Sequence, residues 1–304
     1  MNKDVLKISD LTKSEIETLL NRAVALKAGK DANACPLIGK NIGLFFEKPS
    51  TRTRLSFEAG IYQLGGNAIS MNPDELQFGR GETVADTART ISRYLDAFMM
   101  RTFSHATLET LAANSTIPVI NGLSDIHHPC QALADVMTLQ EKKGRIEGLK
   151  LAFIGDGNNV CNSLIEAAAI LGFHLTIACP EGFEPHNEII EKSRELAKSE
   201  IIVIRDPKEA AGMADVLYTD VWVSIGQEEE EEHKKKQFRE YQINAKLLAC
   251  AKKDAIVLHC LPAHRGEEVT DEVIDGPQSI VVQQAGNRMH VQKGILAWLL
   301  GAKS

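Results

Sequence analysis

Ser50, Thr51, Arg52, Thr53 and Arg54 stand side by side at the end of an apolar run, Ile42 to Phe46. They also begin a helical pattern that carries Phe57, Ile61 and Leu64 on one face. At such a strand-to-helix turn the first backbone N–H groups lack partners and the helix dipole is positive. A cap needs one hydroxyl. Three hydroxyls interleaved with two guanidiniums suit a phosphate-sized anion better than they suit a plain cap.

Other reactive side chains fall at comparable places. Arg101 follows the run Ala97 to Met100, and in open parallel sheets ligands sit beyond the carboxyl ends of strands. A strand-end arginine is also a common exposed charge. Asp125-Ile126-His127-His128-Pro129-Cys130-Gln131 puts an imidazole and a carboxamide at a turn, with proline at a favoured first helical position. Alone, these read equally as a turn histidine or half a metal site. Gly155-Asp156-Gly157-Asn158-Asn159 is half a dinucleotide fingerprint without its third glycine. Asp220-Val221-Trp222-Val223-Ser224-Ile225-Gly226 places an acid and a hydroxyl beyond a strand, and His259-Cys260-Leu261-Pro262-Ala263 adds a thiol. Capping is the ordinary use of such an Asp, and a free Cys is most often core. A zinc site from His127, His128, His259 and Cys260 matches no structural zinc spacing, so no metal is expected.

The elements that must hold these groups alternate along the chain. A helix opens after Asp10 with Ile16, Leu19, Leu20, Ala23 and Leu26 on one face and closes near Gly29. Strands are expected at Ile42, Ala97 to Met100 and Pro118 to Asn121, with helices at Thr83 to Leu95, Leu108 to Ala113 and Pro129 to Lys142. Gly144 to Gly148 has the look of a joint. A second series follows, with strands at Leu151, Leu175, Ile201, Val216 and Ala255, helices at Val160 to Leu171 and Glu188 to Lys198, and a last apolar helix at Gly294 to Leu300. Strand-helix alternation with continuous apolar strands argues for an α/β protein of two doubly wound parallel-sheet domains. The run Glu228 to Lys236 holds Glu-to-Lys pairs at four-residue spacing and reads as a solvated surface helix, or the outer part of a mobile lid.

Composition narrows the class. A chain of 304 residues is long for one core, so two domains are natural. A net charge of −7 argues against a nucleic-acid partner and makes any anion site local. Six cysteines without a C-x-x-C pair read as reduced thiols, and no apolar run approaches membrane-spanning length. Without a leader-like N-terminus, a cytoplasmic location is expected.

Phe46-Glu47-Lys48-Pro49-Ser50-Thr51-Arg52-Thr53-Arg54 closely resembles the carbamoyl phosphate loop of the aspartate/ornithine transcarbamylase family. His128-Pro129-Cys130-Gln131 resembles the family's second motif, His-Pro-x-Gln. Gly155 to Asn159, Asp220 to Gly226, His259 to Ala263 and Asn287-Arg288-Met289-His290 resemble the ornithine branch, in the same order and from Asp10 to Leu300. Ile225 departs from that branch, which usually has Met there, and this bears on the shape of the amine pocket.

The resemblance implies transfer of a carbamoyl group from carbamoyl phosphate to the δ-amine of L-ornithine, giving citrulline and phosphate within arginine metabolism, without a cofactor. It implies that Ser50, Thr51, Arg52, Thr53, Gln77, Arg101, His128, Gln131, Cys260, Leu261 and Arg288 bind carbamoyl phosphate. Arg101, His128, Gln131, Cys260 and Arg288 would act in the chemistry, while Asn159, Asp220, Ser224 and Ile225 would hold ornithine. It further implies a carbamoyl phosphate domain of residues 1–137 plus 287–304, an ornithine domain of 138–286, and an active site in the cleft between them. The assembly would be a cyclic homotrimer in which the loop from Asn72 to Glu82 brings Gln77 to the neighbour's phosphate site. Alternatives are a sister enzyme using putrescine or N-acetylornithine, a paralogue that binds carbamoyl phosphate without turnover, and a nicotinamide-dependent oxidoreductase resting on Gly155, Gly157 and Glu181. The last leaves Ser50 to Arg54, His128 to Gln131 and His259 to Ala263 unexplained.

Overall fold

The computed structural model describes residues 4–31, 33–73, 81–223 and 231–301, and the chain divides into two compact units. One comprises Met1–Met137 with Gly286–Ser304, the other Thr138–Ala285. Gln77, Arg80, Ser224, Ile225 and Gly226 lie outside the described residues.

The first unit runs α1 (Lys13–Lys27), β1 (Asn41–Phe46), α2 (Thr51–Gln63), β2 (Asn67–Met71), α3 (Val84–Ile91), β3 (Ala97–Arg101), α4 (His105–Asn114) and β4 (Val119–Leu123) into α5 (Pro129–Lys143). Its starts are written in the sequence. Thr12, Ser50, Thr83 and Ser104 each cap the helix that follows by accepting from a backbone N–H of its first turn. The strands form a parallel sheet in the order β2-β1-β3-β4. All five residues of β3 are buried, as a strand covered on both faces requires. One face packs on Phe45, Phe98, Met100, Leu108, Leu111 and Val119.

The second unit continues with β5 (Lys150–Ile154), α6 (Asn159–Leu171), β6 (His174–Ala178), α7 (Asn187–Leu196), β7 (Ile201–Ile204), α8 (Pro207–Ala211), β8 (Val216–Thr219), α9 (Glu231–Phe238), α10 (Ala245–Leu248), β9 (Ile256–His259) and α11 (Asp271–Ile274). Its parallel sheet has the order β7-β6-β5-β8-β9. The final helix, α12 (Val281–Leu300), starts in this unit and ends in the first.

Strand order places the ligand ends. In the first sheet β1 lies between β2 and β3, so the connections leaving β1 and β3 diverge, and Phe46 pairs beside Arg101 at that edge. In the second sheet the same reversal falls between β5 and β8. Crevices at such switch points, beyond the carboxyl ends of strands, are where open α/β sheets hold ligands.

Three expectations need correction. The last helix begins at Val281, well before Gly294. Its first half is polar in sequence yet buried at Gln284, Asn287 and Arg288, because hydrogen bonds replace apolar contact there. Lys27 Nζ, for instance, donates to Asn287 Oδ1 at 2.7 Å. The Gly144 to Gly148 segment is not where the units part: α5 continues to Lys143, and the division falls inside it after Met137, where the expected bounds 1–137 and 138–286 also meet. The charge run is not simply solvated: Lys234 is buried and pairs with Asp156 at 2.7 Å.

Candidate active site

In the first unit the site grows from the head of α2. Ser50 is the N-cap, with extended backbone, and its Oγ accepts from Thr53 N at 3.3 Å while donating to Thr53 Oγ1 at 3.0 Å. Arg288, from α12, donates through Nη2 to the same Thr53 oxygen at 2.6 Å, with both residues buried. A hydroxyl has two acceptor lone pairs and one hydrogen. With both lone pairs engaged, the Thr53 hydrogen is what remains to donate to a ligand oxygen.

His128 lies among the guanidiniums. Burial, then the charges of Arg288, Arg101 and Arg52, hold its imidazole well below the usual range, so it is neutral at pH 7. Positive charge concentrated around a buried neutral imidazole suits an anion, with a non-ionic donor beside it. Arg52 Nε is buried without a hydrogen-bonding partner among the described residues. Arg54 is not part of this group. Successive helical residues turn by about 100°, so positions 52 and 54 face different ways, and Arg54 Nε pairs with Glu58 at 3.0 Å on the exposed side. Thr51 is exposed at the first helical position.

His128 and Gln131 flank the start of α5. Gln131 Nε2 donates to Asp135 Oδ1 at 2.8 Å, inside the helix and fully buried. Sequence reasoning passed over Asp135. Only its position one turn beyond Gln131 marked it.

The second unit holds the other group, again at strand ends. Asp220, just past β8, is buried. Its Oδ2 accepts from Asn158 Nδ2 at 2.7 Å and its Oδ1 from Cys260 Sγ at 2.7 Å. Asn158 also caps α6, and Asn159 follows as the first helical residue. His259 fixes the loop after β9. Its Nε2 and Glu268 Oε1 are 3.0 Å apart, both side chains buried, and its Nδ1 accepts from Leu261 N at 2.8 Å. That acceptor defines the tautomer, with the proton on Nε2. Leu261 has a φ of 58°, a left-handed conformation unusual for a branched residue. Asp220, His259 and Cys260 each bring one potential ligand atom within 4.8 Å of the others. The hydrogen bonds of His259 engage both ring nitrogens, which leaves this trio a polar network and not a metal cradle.

Models of two domain families match most of the chain: the carbamoyl-P binding domain of aspartate/ornithine carbamoyltransferase over residues 3–141, and the Asp/Orn binding domain over 147–299. The chain belongs to the aspartate/ornithine carbamoyltransferase family. Among curated relatives, ornithine carbamoyltransferase of Syntrophus aciditrophicus is 54% identical over 302 residues, covering 99% of this chain and 100% of that one. The protein of the same name from Bacillus thuringiensis subsp. konkukian is 56% identical over 301 residues, 98% of this chain and 94% of that one. Among solved structures, ornithine carbamoyltransferase from Pyrococcus furiosus superposes with a TM-score of 0.93 at 48% identity, covering 99% of this chain and 98% of that one. That from Gloeobacter violaceus gives 0.90 at 46%, covering 99% of each.

Membership in this carbamoyltransferase family agrees with what became of the Gly155-x-Gly157 signature. A Cβ on Gly157 would stand 2.2 Å from Pro185 N and 2.4 Å from the Glu184 carbonyl carbon. The glycine is needed because the backbone of its own unit at Glu184 and Pro185 passes against it, a reason independent of any dinucleotide. Lys234 was missed because its charge run reads as surface. Burial against Asp156, with the ammonium 5.3 Å from the Phe183 ring centroid, appears only in three dimensions. Among the described residues no helix is long and apolar enough to cross a membrane.

Proposed function

We propose that this chain transfers the carbamoyl group of carbamoyl phosphate to the δ-amine of L-ornithine, releasing L-citrulline and phosphate. The observation that carries the reading is the neutral, buried His128 among Arg52, Arg101 and Arg288, beside the capped head of α2. A dianionic phosphate needs fixed donors, and Ser50, Thr51, Arg52, Thr53 and Arg288 with the helix N-terminus supply them. Attack of the neutral amine on the carbonyl carbon forms the C–N bond and builds an oxyanion. Thr53 Oγ, Arg101 and His128 are its donors. Gln131 Oε1 takes the carbamoyl N–H groups. Collapse breaks the carbon–oxygen bond to phosphate, and the departing phosphate takes the amine proton. The acceleration comes from orientation and preorganised charge, effects worth on the order of 3–10 kcal/mol.

On the amine side, Asp220 is the counter-charge for the α-ammonium, with Asn159, Ser224 and Ile225 completing the hold on ornithine. Cys260 and the Leu261 carbonyl meet the reacting amine. The relatives' printed name, ornithine carbamoyltransferase, supports ornithine over putrescine or N-acetylornithine. We place the enzyme in the cytoplasm, in arginine biosynthesis, as a homotrimer whose Gln77 loop completes the neighbour's phosphate site. Refolding Arg52→Ala together with Gln77→Ala tests the shared site, because hybrid trimers regain activity only if each site draws on two subunits.

A citrulline-formation assay with ornithine, putrescine, N-acetylornithine and aspartate as acceptors tests the reaction. Preference for any acceptor other than ornithine overturns the named substrate, and no turnover with any of them overturns the transfer itself.

A further inference from the structure

Gln131 and Asp135 sit one turn apart on α5, both wholly buried, with Gln131 Nε2 donating to Asp135 Oδ1 at 2.8 Å. Gln131 Oε1 is also buried and has no hydrogen-bonding partner among the described residues. A carboxamide has a donor end and an acceptor end, and a half-turn of its terminal bond exchanges them. A carboxylate oxygen accepts. It therefore holds the NH₂ end of Gln131 and sends the oxygen the other way, since the flipped amide would set two oxygens against each other. The main chain anchors this side chain to the anion site: Gln131 N donates to the carbonyl of His128 at 3.1 Å, and His128 is the imidazole among Arg288, Arg101 and Arg52.

We infer that Asp135 is a positioning residue that sets the acyl-phosphate specificity of the site, by turning Gln131 so that it presents an acceptor and selects an acyl group bearing N–H. This rests on the reading of Gln131 as the contact of the carbamoyl nitrogen. The discrimination is against the acyl phosphate of nearly equal shape that has a methyl group in place of NH₂, acetyl phosphate. A methyl group leaves a buried amide oxygen unsatisfied, which is how polar sites reject close isosteres. Asp135 touches no substrate in this account and acts through the amide alone.

The test is calorimetric binding of carbamoyl phosphate and acetyl phosphate to the full chain and to Asp135→Asn. The new carboxamide can face Gln131 with either end, so the Gln131 amide is no longer held one way. The ratio of the two affinities should fall roughly tenfold, mainly through weaker carbamoyl phosphate binding, with acetyl phosphate changing less than about twofold. In a Gln131→Ala background the same substitution should shift the ratio by no more than about twofold. Equal weakening of both ligands, the mark of a merely structural role, would overturn the inference, as would an unchanged ratio. Failure of the unsubstituted chain to bind carbamoyl phosphate would instead overturn the transfer reading.

A second measurement needs no variant at Asp135. The side-chain amide protons of Gln131, identified by their loss in Gln131→Ala, should keep their NMR positions when acetyl phosphate replaces carbamoyl phosphate, because they face Asp135. Protons that move with the ligand's acyl group would place the donor end at the ligand and refute the assignment.

Discussion

Arg288 and Thr53, separated by 235 positions of sequence, meet at 2.6 Å in a buried hydrogen bond between α12 and the head of α2. The bond ties α12 to the capped start of α2. Thr53→Val keeps the volume and removes the oxygen, leaving a buried guanidinium short of an acceptor. Unfolding in urea should show a loss of about 1–3 kcal/mol. Added carbamoyl phosphate should restore less stability to the variant than to the parent, since binding energy adds to stability by mass action.

Arg52 and Arg54 look equivalent in sequence and are not in the structure. Arg52→Ala removes a charge-assisted donor and should weaken carbamoyl phosphate binding by about tenfold to a hundredfold, the equivalent of roughly 1.5–3 kcal/mol. Arg54→Ala removes an exposed pair with Glu58 and should leave that affinity within about twofold. Calorimetry on the two variants checks the contrast. Equal losses would mean that both arginines face the ligand.

The pair between Lys234 and Asp156 lets the charge run be tested by stability. The two side chains are 5% and 13% exposed, so cutting one partner strands the other charge. Lys234→Met should cost about 3 kcal/mol. Burial, only partly offset by Lys234, already raises the Asp156 carboxyl, and nearby Asp220 raises it further. The double variant Lys234→Met with Asp156→Asn should recover most of the loss, because no unpaired charge remains. Denaturation of the four proteins in a mutant cycle gives the coupling.

Stability should fall as pH drops below about 6.5, and the cause is histidine. His128 is held well below its usual range by burial and then by Arg288, Arg101 and Arg52, and His105 is lowered chiefly by burial. Below about 6.5 the unfolded chain takes up protons at both positions while the folded chain does not, so acid favours unfolding. The lowered carboxyls of Glu58, Asp96 and Asp215 lose their contribution only at lower pH, below the usual carboxylate range. Asp156, raised by burial, opposes the trend. Urea midpoints at pH 7.5, 6.5 and 5.5 should therefore decline, and His128→Asn should flatten the decline.

The amino-acid sequence by itself determined a good deal. Apolar runs such as Ala97 to Met100 mark strands because both faces of a parallel sheet are covered, and a hydroxyl such as Ser50 or Thr83 before a helical pattern marks a helix start by local capping chemistry. Those signals are short-range, and they place Arg101, His128, Asp220 and Cys260 near strand ends without coordinates. Which way a side chain points, and what it meets, is long-range. That Arg54 turns outward, that Arg288 returns to Thr53, that Lys234 is buried on Asp156 and that Asp135 fixes the amide of Gln131 all follow from packing. A polar residue such as Gln284 or Asn287 reads as surface until its buried partner is known. Only the tertiary structure supplies that partner, because hydrogen bonds between distant segments leave no periodicity in the chain.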